Sequence, residues 1–221
     1  YNFKIYWRNK GFRKVLSLLP ARSVDQGMDY VVSLVEVNLA SRLADGTVRA
    51  YQQALTLHMM PINLIGVAIS NAAFPQLTEH LGEGRNDLFQ KDLRSLLRII
   101  FWMALPVSVV IFFTRGYVVH FIRNGGNQLI AGILGCLVVA ILFRTIYHMA
   151  ARAFYARQDT KTPLYISIFS ITLNIILAIV LSMVLKMGAY GLAWAQSTVA
   201  VLEVVVLLAV MNRQMPKLFD M

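Results

Sequence analysis

The sequence contains few charged residues, and this shortage excludes a soluble domain. Only 14% of the 221 residues are charged, whereas 57% are hydrophobic, and the mean hydropathy is +0.60. A soluble domain of this length needs more charge, because its surface faces water. Acidic residues are the scarcest, with 11 Asp and Glu against 21 Lys and Arg. The basic residues lie between apolar blocks rather than along one basic and aromatic face, which argues against a nucleic-acid-binding protein.

Cysteines and catalytic motifs are also missing. Cys136 is the one cysteine and lies inside an apolar run, so no internal disulfide and no cysteine metal site is predicted. The sequence has no HExxH motif, no glycine-rich phosphate loop and no nucleophile with an evident base. We therefore expect neither an enzyme nor a bound cofactor.

What the sequence does contain is six apolar blocks. A helix needs roughly 20 apolar residues to cross the hydrocarbon core of a bilayer, and the blocks cover residues 15–43, 50–77, 96–122, 129–155, 163–185 and 190–211. We predict an all-α polytopic bundle of six transmembrane helices over residues 15–212. A basic interfacial segment at 1–14 precedes the bundle, and a tail at 213–221 follows it. Because the chain starts without methionine, we expect a fragment of a longer protein.

The distribution of Lys and Arg predicts the orientation. Fifteen fall on the side of the two termini and five on the other, with Arg144 inside a span. An excess of positive charge marks the cytoplasmic side, so both termini are expected in the cytoplasm. The loop at 79–95 is expected there too, as an amphipathic helix that runs into the third span.

Polar residues follow one face of the first span. On a helix they fall within an arc of about 60°, and they are Arg22, Asp25, Asp29, Ser33 and Glu36. An ionisable group in a span costs about 2.5–3.5 kcal/mol on insertion scales, so it faces protein or water. The stripe predicts the wall of a water-filled cavity, whose carboxylates hold a cation or exchange protons. The alternative is internal pairing, for example of Arg22 with Asp25.

A second stripe lies on the fourth span, where Arg144, His148 and Arg152 recur at every fourth position. Arg152 is near the interface, where its side chain can extend towards water. Arg144 is deeper and needs a partner. Either a carboxylate of the first span or an anionic head group of a substrate fits this role.

Neutral oxygen-bearing residues in the last two spans suggest a cation site, with Asp25 or Asp29 completing it. The candidates are Asn174, Gln196 and Thr198. Hydrogen bonding between helices is the alternative for each of them. His58 is predicted to be a packing residue, and Glu203 is an acid for which the sequence suggests no partner. Pro61 and Pro106 are predicted to kink their helices.

Two stretches resemble the MurJ (MviN) family of lipid II flippases, within the multidrug/oligosaccharidyl-lipid/polysaccharide exporter superfamily. One is PINLIGVAISNAAFPQLTEH at 61–80, and the other is RAFYARQDTKTP at 152–163, with GLAWAQS further on. The segment LPARSVDQGMDYVVSLVEVNLAS resembles the helix that opens the second half of the family. The chain thus resembles the second of two six-helix lobes.

The resemblance implies that a lipid-linked anionic precursor of peptidoglycan crosses the bacterial plasma membrane between two lobes. Alternating access would be driven by a membrane potential or by a gradient of Na⁺ or H⁺. A first lobe, in the same or another chain, is the implied partner. Family members often have an arginine at the position of Thr56, facing the central cavity, and His58 or Arg144 would have to compensate for its absence here.

Other functions are compatible with the same pattern. One is a flippase for another polysaccharide-linked lipid, and another is a drug/cation antiporter of the same superfamily. A transport-inactive scaffold for cell-wall synthesis belongs to a different class. An ion-coupled transporter would need the acids of the first span, whereas a scaffold would tolerate their loss.

Overall fold

The chain folds into a bundle of long helices. The computed structural model describes residues 30–122 and 127–215. Its helices are α1 (Tyr30–Ser41), α2 (Thr47–Gly82), α3 (Asn86–Ile122), α4 (Gln128–Ala156), α5 (Lys161–Val184) and α6 (Ala189–Gln214). Helices α2 to α6 are long and apolar enough to cross a membrane, and α1 is the described part of the first predicted span. The predicted all-α polytopic bundle is confirmed.

Helices α4 and α6 form the centre of the bundle. Half of the most apolar part of each is buried, compared with 17% in α3. Helix α4 packs against α2, α3 and α6, and α6 packs against α5. The outer face of α3 exposes large apolar side chains, among them Trp102, Val110 and Phe113. Such a face suits contact with lipid.

Helix α2 continues through Pro61 instead of ending there. The next six residues, Ile62–Val67, form a π-helical turn, which is one way for a helix to accommodate the backbone hydrogen bond that proline cannot make. A Cβ on Gly66 would lie 3.0 Å from the backbone of Thr145. The turn is therefore a close contact between α2 and α4. Helix α3 also continues through its own proline, Pro106.

The loop between α2 and α3 is short. The predicted amphipathic segment at 79–95 is divided by this loop: its first residues, up to Gly82, end α2, and its residues from Asn86 onward form the first turns of α3. Gly84 has a φ of +73° between the helices, a conformation that glycine adopts readily. Gln76 of α2 donates a 2.8 Å hydrogen bond to Asp92, and the Nε2 atom of His80 lies 3.0 Å from the same carboxylate. These contacts hold the start of α3 against the end of α2.

Candidate functional site

A polar cavity of about 120 Å³ lies inside the bundle. It is lined by residues of α1, α4, α5 and α6. Its polar and ionisable lining residues are Arg144, Tyr147, His148, Arg152, Tyr155, Ser167, Ser170, Asn174 and Glu203. Polar groups at this depth face protein or water rather than lipid, because lipid offers them no hydrogen bonds.

The wall formed by α4 is basic. Arg144, His148 and Arg152 all line the cavity, so the predicted stripe on the fourth span faces one space. The guanidinium carbon of Arg152 lies 5.8 Å from the centre of the Phe74 ring, within the range of a cation–π contact. Arg144 lies close enough to act electrostatically on Glu36 and His58 as well as on His148.

The wall formed by α5 and α6 supplies oxygen atoms. Ser167, Ser170 and Asn174 of α5 are buried, and so is the carboxyl-bearing Glu203 of α6. The hydroxyls of Tyr147 and Ser167 are 3.1 Å apart. Both polar atoms of the Asn174 amide are buried without a hydrogen-bond partner among the described residues. A buried amide in this state is costly, which is consistent with a ligand that completes it.

Glu36 forms a separate contact outside the cavity lining. Its side chain is 1% exposed, and its two carboxylate oxygens lie 3.0 and 2.9 Å from the Nε2 atom of Gln196. The buried side chain of Tyr51, from α2, lies beside the same carboxylate. Glu36 therefore joins α1 to α6 and approaches α2 in the interior of the bundle.

The other predicted site residues lie elsewhere. Ser33 and Thr56 are exposed on α1 and α2, and the hydroxyl of Thr56 donates to the carbonyl of Gln52 at 2.9 Å. His58 is buried outside the cavity lining, with Nδ1 2.9 Å from the carbonyl oxygen of Leu55. Thr198 is exposed and faces a shallow apolar groove with Val139. Arg22, Asp25 and Asp29 lie outside the described residues.

Helix geometry explains why Gln196 and Thr198 are apart. Side chains two positions apart on a helix point in directions that differ by about 200°. Gln196 therefore faces α1, whereas Thr198 faces outward. Within residues 30–122 and 127–215, no three His, Cys, Asp or Glu side chains are grouped so that they could hold a metal ion. Apart from the basic wall of α4, the cavity is lined by one carboxylate, an amide and several hydroxyls of the described residues.

Comparison with known proteins identifies the family. The family described as "Lipid II flippase MurJ" matches residues 1–220. The chain belongs to this family. A "Probable lipid II flippase MurJ" from Borreliella burgdorferi is 26% identical over 198 residues, which cover 87% of this chain and 39% of that protein. One from Thermotoga maritima is 25% identical over 194 residues, covering 85% of this chain and 40% of that protein.

Solved structures agree with a MurJ-like fold. A structure titled "Lipid II flippase MurJ, inward closed conformation" matches 96% of this chain and 45% of its own, with a TM-score of 0.78 and 24% identity. A transporter described as a multidrug resistance MATE family member of the MOP superfamily matches with a TM-score of 0.83 and 12% identity, over 90% of this chain and 44% of its own. The chain thus spans less than half the length of these MurJ and MATE proteins.

Sequence reasoning missed several residues that line the cavity of this MurJ family member. Ser167 and Ser170 precede Asn174 by seven and four positions, which places all three on one helix face. That spacing could have predicted a polar face on this helix. Tyr147 gave no such signal, because a tyrosine in an apolar span is compatible with packing alone. The same holds for Tyr51, which lies beside Glu36 outside the cavity lining.

Proposed function

We propose that this chain is the second six-helix lobe of a lipid II flippase. In the full-length protein it would work by alternating access with a first lobe, in the same or another chain. The substrate would be the lipid-linked anionic precursor of peptidoglycan. Membership of the MurJ family supports this proposal, as does the coverage of 39% of the Borreliella burgdorferi relative.

The polar cavity is the observation that carries the proposal. A static bundle has no need of a buried, unpaired amide beside a buried carboxylate, because apolar side chains of the same size would cost less. Both kinds of group line the cavity: Asn174, whose amide has no hydrogen-bond partner among the described residues, and the buried carboxyl-bearing Glu203. An ion-coupled transporter needs a site of this kind, where an ion or proton binds in one state and leaves in the other.

We propose that a coupling cation binds in this cavity, with Asn174 and Glu203 among its ligands. Hard cations such as Na⁺ favour carboxylate and amide oxygens. Asp25 and Asp29, which the sequence suggests as further ligands, lie outside the described residues. Gln196 and Thr198 are left out, because Gln196 binds Glu36 and Thr198 is exposed on another face.

The topology belongs to the same proposal. The excess of Lys and Arg beside the termini and the loop between α2 and α3 supports a cytoplasmic location for these parts. The relatives come from bacteria, so the plasma membrane of a bacterium is the proposed location. Arg144, His148 and Arg152 then form a basic wall that extends from mid-membrane towards the cytoplasm, the side on which the lipid-linked precursor would be loaded.

Growth rescue tests the proposal. The full-length gene would be expressed in a bacterium whose own lipid II flippase can be switched off. We expect it to restore growth, and we expect Asn174→Leu and Glu203→Gln to lose the rescue while the protein is still made and inserted. Thr172→Val is the matched control, because Thr172 lies on the same helix as Asn174 but is exposed.

The outcomes separate the functions. If the full-length gene fails to restore growth at normal protein levels, the assignment of substrate is wrong. If growth is restored equally well by the cavity variants, the cavity does not bind the coupling ion. Export of a drug without growth rescue would favour an antiporter instead.

A further inference from the structure

The buried carboxyl group of Glu36 has an environment that differs from the cavity. Its hydrogen bonds come from Gln196, 160 positions along the chain. Glu36 does not line the cavity, although Val32, one turn earlier on α1, does. Glu36 and Glu203 are therefore two separate buried acids, and the cavity site described above does not use the first of them.

The side chains around Glu36 can serve either protonation state. An amide donates through its nitrogen and accepts through its oxygen, and a phenol hydroxyl both donates and accepts. Gln196 donates to the carboxylate as the structure stands. If the carboxyl group is protonated, its O–H can donate to the Gln196 oxygen after the amide turns over, or to the hydroxyl of Tyr51. The Tyr51 hydroxyl is buried without a hydrogen-bond partner of its own among the described residues.

The polar, titratable and charged groups near Glu36 come from the helices packed around it. Helix α2 contributes Tyr51 and, two turns on, His58. Helix α4 contributes Arg144, which acts on Glu36 electrostatically, with His148 one turn further. Helix α6 contributes the neutral Gln196, and Glu203 lies about two turns along it. The direct hydrogen-bond partner is therefore a neutral amide, and Arg144 acts on the carboxylate electrostatically.

We propose that Glu36 is a proton-binding site distinct from the cavity. The carboxylate takes one proton from water to form a carboxylic acid, and no other covalent bond changes. Ser33, one turn earlier on α1, is exposed on the surface of this bundle. Gain of the proton adds a donor that the Gln196 oxygen, after the amide turns over, or the Tyr51 hydroxyl can accept, so it changes the hydrogen bonding around the contact between α1 and α6. Only the role of this site in a transport cycle rests on the proposed function.

Infrared difference spectroscopy of the full-length protein in detergent tests the site directly. Spectra recorded at acid and alkaline pH reveal the C=O stretch of each buried carboxyl group that gains a proton. We expect one such band to disappear in Glu36→Gln and to persist in Glu83→Gln, because Glu83 is exposed. Potentiometric titration should show uptake of about one proton fewer per molecule in Glu36→Gln.

A second pair of variants keeps the test decisive if Glu36→Gln does not fold. Gln196→Met and Tyr51→Phe remove the neutral partners one at a time without adding charge. Both should move the pH midpoint of the Glu36 band, because each changes the groups that stabilise one protonation state. A band that is unchanged in Glu36→Gln, or a midpoint that neither partner variant moves, would overturn the proposal.

The measurement does not depend on transport. If growth rescue fails but the band is lost in Glu36→Gln, the proton site stands and the flippase assignment falls. If rescue succeeds and the band is unaffected, the proton site falls alone.

Discussion

The contact between α5 and α6 predicts that adding a methyl group at Gly191 destabilises the protein. Gly191 lies in the first turn of α6, against the end of α5. A Cβ at this position would lie 2.6 Å from the carbonyl carbon of Leu181 and 2.7 Å from the backbone nitrogen of Ser182. These are backbone atoms, which cannot rotate away as a side chain can. Gly191→Ala should therefore push α6 away from α5.

The magnitude follows from two opposing terms. Overpacking a close contact costs typically about 1–3 kcal/mol. Replacing glycine with alanine in a helix returns at most about 0.8–1.0 kcal/mol, and less than that in a first turn. We therefore expect a net loss of between a few tenths and about 2 kcal/mol. In a chain of 150–250 residues each kcal/mol corresponds to roughly 2–4 °C in unfolding temperature, and the shift is smaller in a longer protein.

The assay is thermal unfolding of the full-length protein in detergent, followed by intrinsic fluorescence. Gly116→Ala is the matched control, because Gly116 lies within α3 and a Cβ there would meet no atom within 4 Å. The control should unfold at the same temperature as the parent protein or slightly higher. If Gly191→Ala also unfolds no lower than the parent protein, the close packing of α5 and α6 is refuted.

Three further substitutions test local features. Asp159→Ala should destabilise the start of α5 by about 0.5–2 kcal/mol, since Asp159 accepts hydrogen bonds from the backbone nitrogens of Lys161 and Thr162. Burial opposes the ionised form of Asp159, but the hydrogen bonds from Thr162 outweigh this effect and lower the pKa of Asp159. The stabilisation is therefore present above the pKa that Asp159 has in the unfolded chain, and it is lost as the pH falls through the lower pKa of the folded state. Unfolding curves at pH 7 and pH 3 should show a smaller difference between variant and parent at the lower pH. Asn127→Ala should cost a similar amount by urea unfolding, because Asn127 accepts from the backbone nitrogen of Leu129 at 2.9 Å, and Asn127→Asp should cost much less. Tyr147→Phe should lower the unfolding temperature by only a few degrees, as expected for one hydrogen bond of about 1 kcal/mol, and an unchanged temperature would mean that the contact with the Ser167 hydroxyl contributes nothing.

Much of the fold follows from the sequence, because hydrophobic length dominates in a membrane. An apolar run long enough to cross the bilayer has to be helical, since lipid offers its backbone no hydrogen bonds. The α4 stripe also follows, because Arg144, His148 and Arg152 share a face at any helix rotation. What these three residues face depends on which helices lie beside α4, and that required the structure.

The contact between Glu36 and Gln196 was beyond sequence reasoning. The two residues are 160 positions apart, and nothing in either local pattern selects the other. From the sequence, Gln196 and Thr198 were both predicted to be cation ligands. They are two positions apart on one helix, however, and their side chains point in nearly opposite directions. Ser33 and Glu36 were placed on one polar stripe, yet Ser33 is exposed and Glu36 is buried, because the packed face of α1 ends between them.

Translocation of fluorescently labelled lipid II across proteoliposomes that contain the full-length protein tests the central claim most directly. We predict translocation by the parent protein and by Thr172→Val, with a rate at least about ten times lower for Asn174→Leu, as expected when a binding interaction worth about 1.4 kcal/mol or more is lost. Equal rates for the parent protein and Asn174→Leu, or no translocation by a correctly folded parent protein, would contradict the account.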